Sequence, residues 1–323
     1  MTRILKSVPL IFAGLILLTV VLTVPGFRRA ESWTELVDRY AVTAVLALAL
    51  TPVVLTGGID ISVGSVTVFS SVVIGALWRD LGWPIGWSLA GGVLAGGLAG
   101  ALNGGLVSAG VLPLVATLAT RELFRGLAKR ISGVNGVAGF PDVITEFWSD
   151  TVLGIPVPLV IVLITGLLTY VVVHHTWIGR LLFAIGDNET AARFAGAPVR
   201  SLKLGIYTAA GLAAGLCGAI TVSKYNAAKA DVEQNLELVA IACVVLGGVR
   251  VTGGWGHVGG TLLGVVTMAA LLWGLNAVAA QWRDTITGAM VIGVAIGNEA
   301  AQRYATRLSA ARARNVNPTG LVS

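Results

Sequence analysis

The chain has 323 residues, 55% of them apolar and only 12% charged, with 42 glycines and a formal net charge of +6. Charged residues run at roughly half their usual share, too few to cover a soluble surface of this size. High hydrophobicity excludes disorder, and two cysteines in all exclude a disulfide-stapled scaffold. The expectation is an all-α polytopic membrane protein forming one domain over residues 1–323.

About 20 apolar residues in a helix cross a hydrocarbon core of about 30 Å. Ten segments meet or approach that length: 7–24, 40–57, 61–78, 85–108, 111–129, 155–175, 202–223, 236–250, 256–279 and 284–303. The first follows Arg3 and Lys6 as a signal peptide would, but Phe27-Arg28-Arg29-Ala30 lacks a small-x-small cleavage site. An uncleaved span is therefore expected. The fifth carries Arg121, Glu122, Arg125 and Lys129, so only part of it can sit in lipid. The eighth is short enough to be half a span. Summed over all loops, lysine and arginine divide evenly between the two sides. The 176–201 loop and the 304–323 tail are the clearest basic segments, and four spans separate them. Both are expected in the cytoplasm, together with the N-terminus.

Several chemistries are excluded. No lysine follows a glycine, so no P-loop cradles nucleotide phosphate. His174, His175 and His257 form no HExxH pattern, and the two cysteines are far apart in sequence, so no metal and no cofactor is expected. Ser62 lacks the first glycine of a nucleophile elbow. Basic cytoplasmic loops account for the net charge without a nucleic acid partner.

The loop at 176–201 carries the signals of a short helix. Asp187 or Asn188 can cap its first amides, Glu189 sits in the positive first turn, and Arg193 lies near the end. Gly196 is placed at C′, and Pro198 stops continuation. Such a helix spans about seven residues, or about 10 Å, and needs something to dock on. Two readings stand: a connector packed on its own bundle, or a docking element for a cytoplasmic partner.

Gly57-Gly58-Ile59-Asp60-Ile61-Ser62-Val63-Gly64-Ser65 interrupts two apolar runs. The glycine pair weakens helix, and Asp60 can cap the next span at the interface. Alternatively a carboxylate at a span end marks a translocation path, where Ser62, Ser65 and Thr67 hydroxyls suit a polar solute. Those hydroxyls can also bond their own helix. Val244-Val245-Leu246-Gly247-Gly248 echoes the Val53–Gly58 run, as two halves of a duplicated core would.

Gly92, Gly96, Gly100 and Gly104 recur every fourth residue along one helix face, a groove that lets another backbone approach. Gly211/Gly215, Gly260/Gly264 and Gly293/Gly297 repeat the spacing. Packing within the chain is the simpler use, and a subunit contact the alternative. Asn103, on the same helix, is a pathway group or interhelical glue. Cys217 and Cys243 read as small apolar residues.

Taken together, these motifs resemble the permeases of sugar-type ABC importers, the family of ribose, rhamnose and autoinducer-2 systems. Leu182–Val199 looks like their coupling loop, and Thr56–Ser65 matches "GGIDLSVGS" with Ile61 for Leu. Glu237–Gly248 with Gly253-Gly254-Trp255-Gly256 resembles "ELdaIAAvVLGG…GG.G". Leu102–Val107 and Val115–Thr120 with Arg125-Gly126-Leu127 fit further family positions in order. The stretch Ala227–Asn235 departs from the ribose-type loop.

The resemblance implies an ABC importer permease fold without an ATPase site of its own, in the bacterial inner membrane. It implies separate cytoplasmic ATPases, a second permease, identical or paralogous, and a periplasmic or lipid-anchored solute-binding protein. The solute would be a pentose, a deoxyhexose such as rhamnose, or autoinducer-2. Gly186, Asp187, Asn188, Glu189, Ala192, Arg193 and Gly196 are the implied ATPase contacts. The alternatives are an ion-coupled secondary transporter, with Asp60, Glu237 and Glu299 as span-edge titratable groups, and a branched-chain amino-acid permease. An integral membrane enzyme lacks its catalytic constellation.

Overall fold

The computed structural model describes residues 29–133, 135–232 and 235–278, with isolated positions in the flanking segments. Eleven α-helices lie among the described residues. Five of them are long and apolar enough to cross a membrane: α1 (Ala30–Leu55), α3 (Ile85–Ser108), α6 (Val157–His175), α9 (Val199–Tyr225) and α11 (Val258–Val278). Between them run α2 (Val63–Gly75), α4 (Pro113–Ser132), α5 (Asp142–Ser149), α7 (Trp177–Asp187), α8 (Glu189–Phe194) and α10 (Leu236–Leu246).

From Tyr40 onward the helix α1 is apolar on nearly every side, and Val45, Leu46, Leu48 and Leu50 are fully buried, which places this part at the centre of the bundle. On α6, by contrast, Leu163, Ile164, Leu167 and Leu168 are more than half exposed, the pattern of a lipid-facing span. Hydrophobicity cannot sort such helices in lipid, so close packing does. The pairing of α3 with α9 shows how. A methyl group at Gly96 would lie 2.5 Å from the Gly211 carbonyl oxygen. One at Gly100 would lie 2.3 Å from the Tyr207 carbonyl oxygen, and one at Gly104 2.8 Å from the Leu204 Cα. Gly92 instead faces Ile74 of α2. Gly211 and Gly215 answer from α9, and Gly264 of α11 meets the Cys243 carbonyl of α10. Gly297 lies outside the described residues. Both cysteines are buried among apolar side chains.

Three expected spans differ from their sequence outline. The 61–78 segment starts only at Val63, because Gly57 adopts φ +75° and the chain stays irregular to Ser62; it then runs through a π-turn at Ala76–Asp80. The 236–250 segment ends at Leu246, where Gly248 turns left-handed at φ +84°. The 111–129 segment is a continuous helix, α4, yet falls outside the five membrane-length apolar helices because of its charges. Segments 7–24 and 284–303 and the 304–323 tail lie outside the described residues.

Residues 137–156 build a small cap that periodicity did not reveal. Strand β1 (Val137–Ala138) pairs antiparallel with β4 (Ala227–Ala228), and β2 (Thr151–Val152) with β3 (Ile155–Pro156). Trp148 of α5 is buried and donates its indole N–H to Asp38, while Lys224 Nζ reaches the Asp38 carbonyl at 2.9 Å. The Trp148 bond pins the cap onto α1, and the Lys224 bond ties the end of α9 to the same residue.

The echo between Val53–Gly58 and Val244–Gly248 has a local cause. In both, the C″ amide bonds the C3 carbonyl (Gly58 to Val53, 3.1 Å; Val249 to Val244, 3.2 Å) and the C′ glycine amide bonds the C2 carbonyl. The same bonds close α3 at Gly110 and α8 at Gly196, so the likeness reports glycine-capped helix ends.

Candidate functional site

Two places in the fold collect the residues singled out above. The first is the break between α1 and α2. Asp60 is 1% exposed, so it is not an interfacial cap; Ser62 occupies the N-cap position of α2. The Asp60 carboxylate accepts at Oδ1 from the Ser62 amide at 2.8 Å and the Ser62 hydroxyl at 2.6 Å. Asn103 of α3 donates its amide N–H to Ser62 Oγ at 2.7 Å, and Thr120 of α4 donates to Asn103 Oδ1 at 2.6 Å. Every donor in this chain points toward the carboxylate, and bonds aligned in this way polarise one another. Ser65 is turned back on its own helix, donating to the Ser62 carbonyl at 2.8 Å, and Thr67 does the same to Val63 at 2.9 Å. Asp60, Ser62 and Asn103 are thus brought together, with Ser65 beside them as part of the helix start.

Thr120 and Thr117, which donates to the Ile59 carbonyl at 3.2 Å, were not legible as members of this group. Neither was the ion pair next to it: Arg121 Nε of α4 meets Glu237 Oε1 at 2.8 Å, and Glu237, in the first turn of α10 as a span-edge group would be, is only 1% exposed. Opposite charges in two segments read as membranous were the available signal, since such groups pair to lower their burial cost.

The second place is the hairpin of α7 and α8. The sequence reading of one short helix in a loop becomes two helices, because Thr176 caps α7 by accepting from the Gly179 amide and the apolar face of Leu182 and Ile185 is buried. Asp187 ends α7, so it does not cap α8. Asn188 does, accepting the Ala191 amide at 2.9 Å. Gly196 takes φ +86° at the far end. Ala192 is buried with Ile185, Val199 and Leu202, which docks α8 on its own chain. Glu189 binds Arg193 at 2.8 Å and Lys203 of α9 at 2.7 Å. Phe194 is 89% exposed, a large apolar side chain offered to solvent that composition alone did not flag.

Burial pushes the Glu189 carboxyl up, but the hydrogen bonds and charges of Lys203 and Arg193 outweigh it and hold the group below the usual carboxylate range. A carboxylate whose folded-state pKa is depressed stabilises the fold above its unfolded value and loses that contribution as pH falls through the folded value. Amide exchange of residues 189–196 is therefore expected to accelerate on acidification below the ordinary carboxylate range, and Glu189→Gln to remove that pH dependence. In the same assay Asn188→Ala is expected to cost about 1 kcal/mol of local stability at neutral pH.

The two places touch through glycines. A methyl at Gly186 would lie 2.0 Å from the Leu55 carbonyl oxygen and 2.2 Å from the Gly254 amide, which itself bonds Leu55 at 2.9 Å. Gly253 packs on the Gly57 amide and the Gly186 Cα. The end of α7, the Gly57 turn before Asp60 and the loop after α10 therefore meet backbone to backbone. Nearby, His174 and His257 stack at 4.2 Å, and each accepts an amide from the first turn of α11.

Buried carboxylates in broken, polar-lined spans and an exposed two-helix hairpin define a membrane permease core. Residues 34–295 match the family described as branched-chain amino acid transport system / permease component, and the chain belongs to that family. It is 37% identical over 262 residues to the autoinducer 2 import system permease protein LsrD of Yersinia enterocolitica, covering 78% of this chain and 79% of the relative. It is 37% identical over 273 residues to the ribose import permease protein RbsC of Bacillus subtilis, covering 82% and 84%. No solved structure matches the chain.

Proposed function

We propose that this chain is the membrane permease of an ATP-binding-cassette importer for a sugar or sugar-like solute, a pentose, a deoxyhexose or autoinducer-2. The observation that carries the reading is the buried Asp60–Ser62–Asn103–Thr120 chain: one carboxylate, two hydroxyls and a carboxamide, the groups that exchange hydrogen bonds with a polyol. In the described conformation its members satisfy one another, and a solute's hydroxyls would take over these bonds as α2, α3 and α4 separate. Ser65 keeps the start of α2 rigid beneath them.

Energy enters from outside the chain. The α7–α8 hairpin is the seat for a cytoplasmic ATPase: Phe194 projects from it, Asn188, Glu189 and Arg193 present polar groups, and Gly186, Asp187, Ala192 and Gly196 shape its backbone. The Gly186–Gly57–Gly253 junction transmits its movement to the break at Asp60. A second permease, identical or paralogous, completes the path, and a periplasmic or lipid-anchored binding protein delivers the solute. The chain spans the inner membrane about ten times with half-spans at α2 and α10, and both termini face the cytoplasm.

The test is uptake into proteoliposomes holding the complete importer. Asn103→Leu and Ser62→Ala are each expected to lower solute uptake at least tenfold, with binding-protein docking unchanged. Wild-type uptake in both, or uptake of a branched-chain amino acid in place of sugars, would overturn the reading.

A further inference from the structure

The Asp60 chain is not the sole path of contact between α2 and α4. It runs from Ser62 on α2 through Asn103 to Thr120 on α4. A second link runs from Gly64, two residues after Ser62, through Glu237 of α10 to Arg121, the neighbour of Thr120. The Arg121 Nε–Glu237 Oε1 contact is 2.8 Å, and Arg121 also holds Glu122 at 2.6 Å on its outer side. The other carboxylate oxygen, Glu237 Oε2, is buried and has no hydrogen-bond partner among the described residues. It lies so close over Gly64 that a Cβ there would be 2.0 Å from it.

Such an arrangement is costly unless it holds something in place. A buried carboxylate with one oxygen unpaired is expensive, and its compensation here is one arginine and the positive N-terminal turn of α2, where amides lack intrahelical partners. Only glycine at position 64 lets the carboxylate approach that turn. Glycine at 64 and glutamate at 237 are therefore one constraint, although 173 positions separate them in the sequence.

We infer that Glu237 is a positioning residue for translocation: gripped by Arg121 and seated on Gly64, it braces α10 between α2 and α4 and sets the spacing at which Ser62, Asn103 and Thr120 meet. The inference rests on the reading of that chain as the solute path. The grip depends on the charge that Arg121 holds and the spacing on the reach of the side chain, so charge and reach are varied separately. Glu237→Asp draws the carboxylate back by one methylene, and Gly64→Ala fills the space vacated.

The experiment uses the complete importer in proteoliposomes with ribose as the probe solute where it is accepted, and otherwise the sugar that saturates the cognate binding protein. Uptake, ATP hydrolysis and the thermal midpoint of the purified permease are read together. Glu237→Gln, which keeps size and the Arg121 hydrogen bond but not the charge, is expected to cut maximal uptake at least tenfold. Its half-saturating binding-protein concentration stays within twofold, and its thermal midpoint stays near that of the parent. Gly64→Ala and Glu237→Asp are each expected to lose uptake, and the Gly64→Ala/Glu237→Asp pair to recover to within threefold of the parent.

Parent-like uptake in Glu237→Gln would overturn the inference, as would a loss that follows thermal stability across the series, or a double variant no better than the singles. Asn103→Leu in parallel separates the two readings. Normal uptake in Asn103→Leu with loss in Glu237→Gln refutes the solute path and with it the purpose of the brace. Loss in Asn103→Leu with normal Glu237→Gln refutes the brace alone.

Discussion

Replacing Gly100 by leucine is expected to abolish the folded permease. A Cβ at this position would sit 2.3 Å from the Tyr207 carbonyl oxygen and 2.8 Å from the Gly211 Cα, both backbone atoms of α9. A side-chain neighbour could change rotamer; a helix backbone can yield only by moving away. Overpacking ordinarily costs about 1–3 kcal/mol. Here separation of α3 from α9 would also release the contacts at Gly96, Gly104 and Gly215, so the cost is expected at or above the top of that range. A Cβ at Gly105, on the opposite face of α3, would have none of the described residues within 4 Å, and Gly105→Leu is the matched control. The measurement is the yield of monodisperse protein in detergent with its thermal midpoint. A Gly100→Leu protein as stable as the Gly105→Leu protein would show that the α3–α9 contact is not the one that holds the bundle.

Reversing the charges of the short helix α8 is expected to stop uptake while leaving the bundle intact. In Glu189→Arg/Arg193→Glu the i,i+4 pair survives with opposite sense, and such an exposed pair contributes only about 0.3–0.5 kcal/mol either way. The new arginine would, however, face Lys203, whose side chain is 14% exposed and bonds Glu189 at 2.7 Å. Adding Lys203→Glu restores the attraction within the chain and leaves only the surface offered to a partner inverted. Uptake at least tenfold lower in both the double and the triple variant, with unchanged thermal midpoints, is the outcome expected if an ATPase reads these charges. Recovery of uptake in the triple variant would assign the defect to the Lys203 contact instead, and unchanged uptake in the double would remove α8 from coupling.

The glycine face of α3 was legible because a spacing of four is a property of the helix itself, and the partner glycines at 211 and 215 carry the same spacing on α9. Gly196 and Asn188 were legible for a similar reason: helix ends are satisfied by residues next to them in sequence. Of the two capping candidates Asn188 is the one used, since α7 continues through Asp187. That extension depends on Leu182 and Ile185 finding an apolar surface, which sequence does not display. Thr120, Arg121 and Glu237 escaped notice as a group because each was read alone: Thr120 within a family stretch, Arg121 as a charge that limits how much of its segment sits in lipid, and Glu237 as a span-edge group.

From composition and periodicity came the membrane class, the long spans, the glycine groove and the short capped helix of the hairpin, all of which follow from forces acting within a turn or two of helix. Tertiary structure alone decided that Asp60 is buried and fed by three helices, that Glu237 belongs with Arg121 and Gly64, and that Gly57, Gly186 and Gly253 share one junction. The physical reason is distance along the chain. A buried charge must find its partner wherever packing brings one, and the identity of that partner is written in no local pattern.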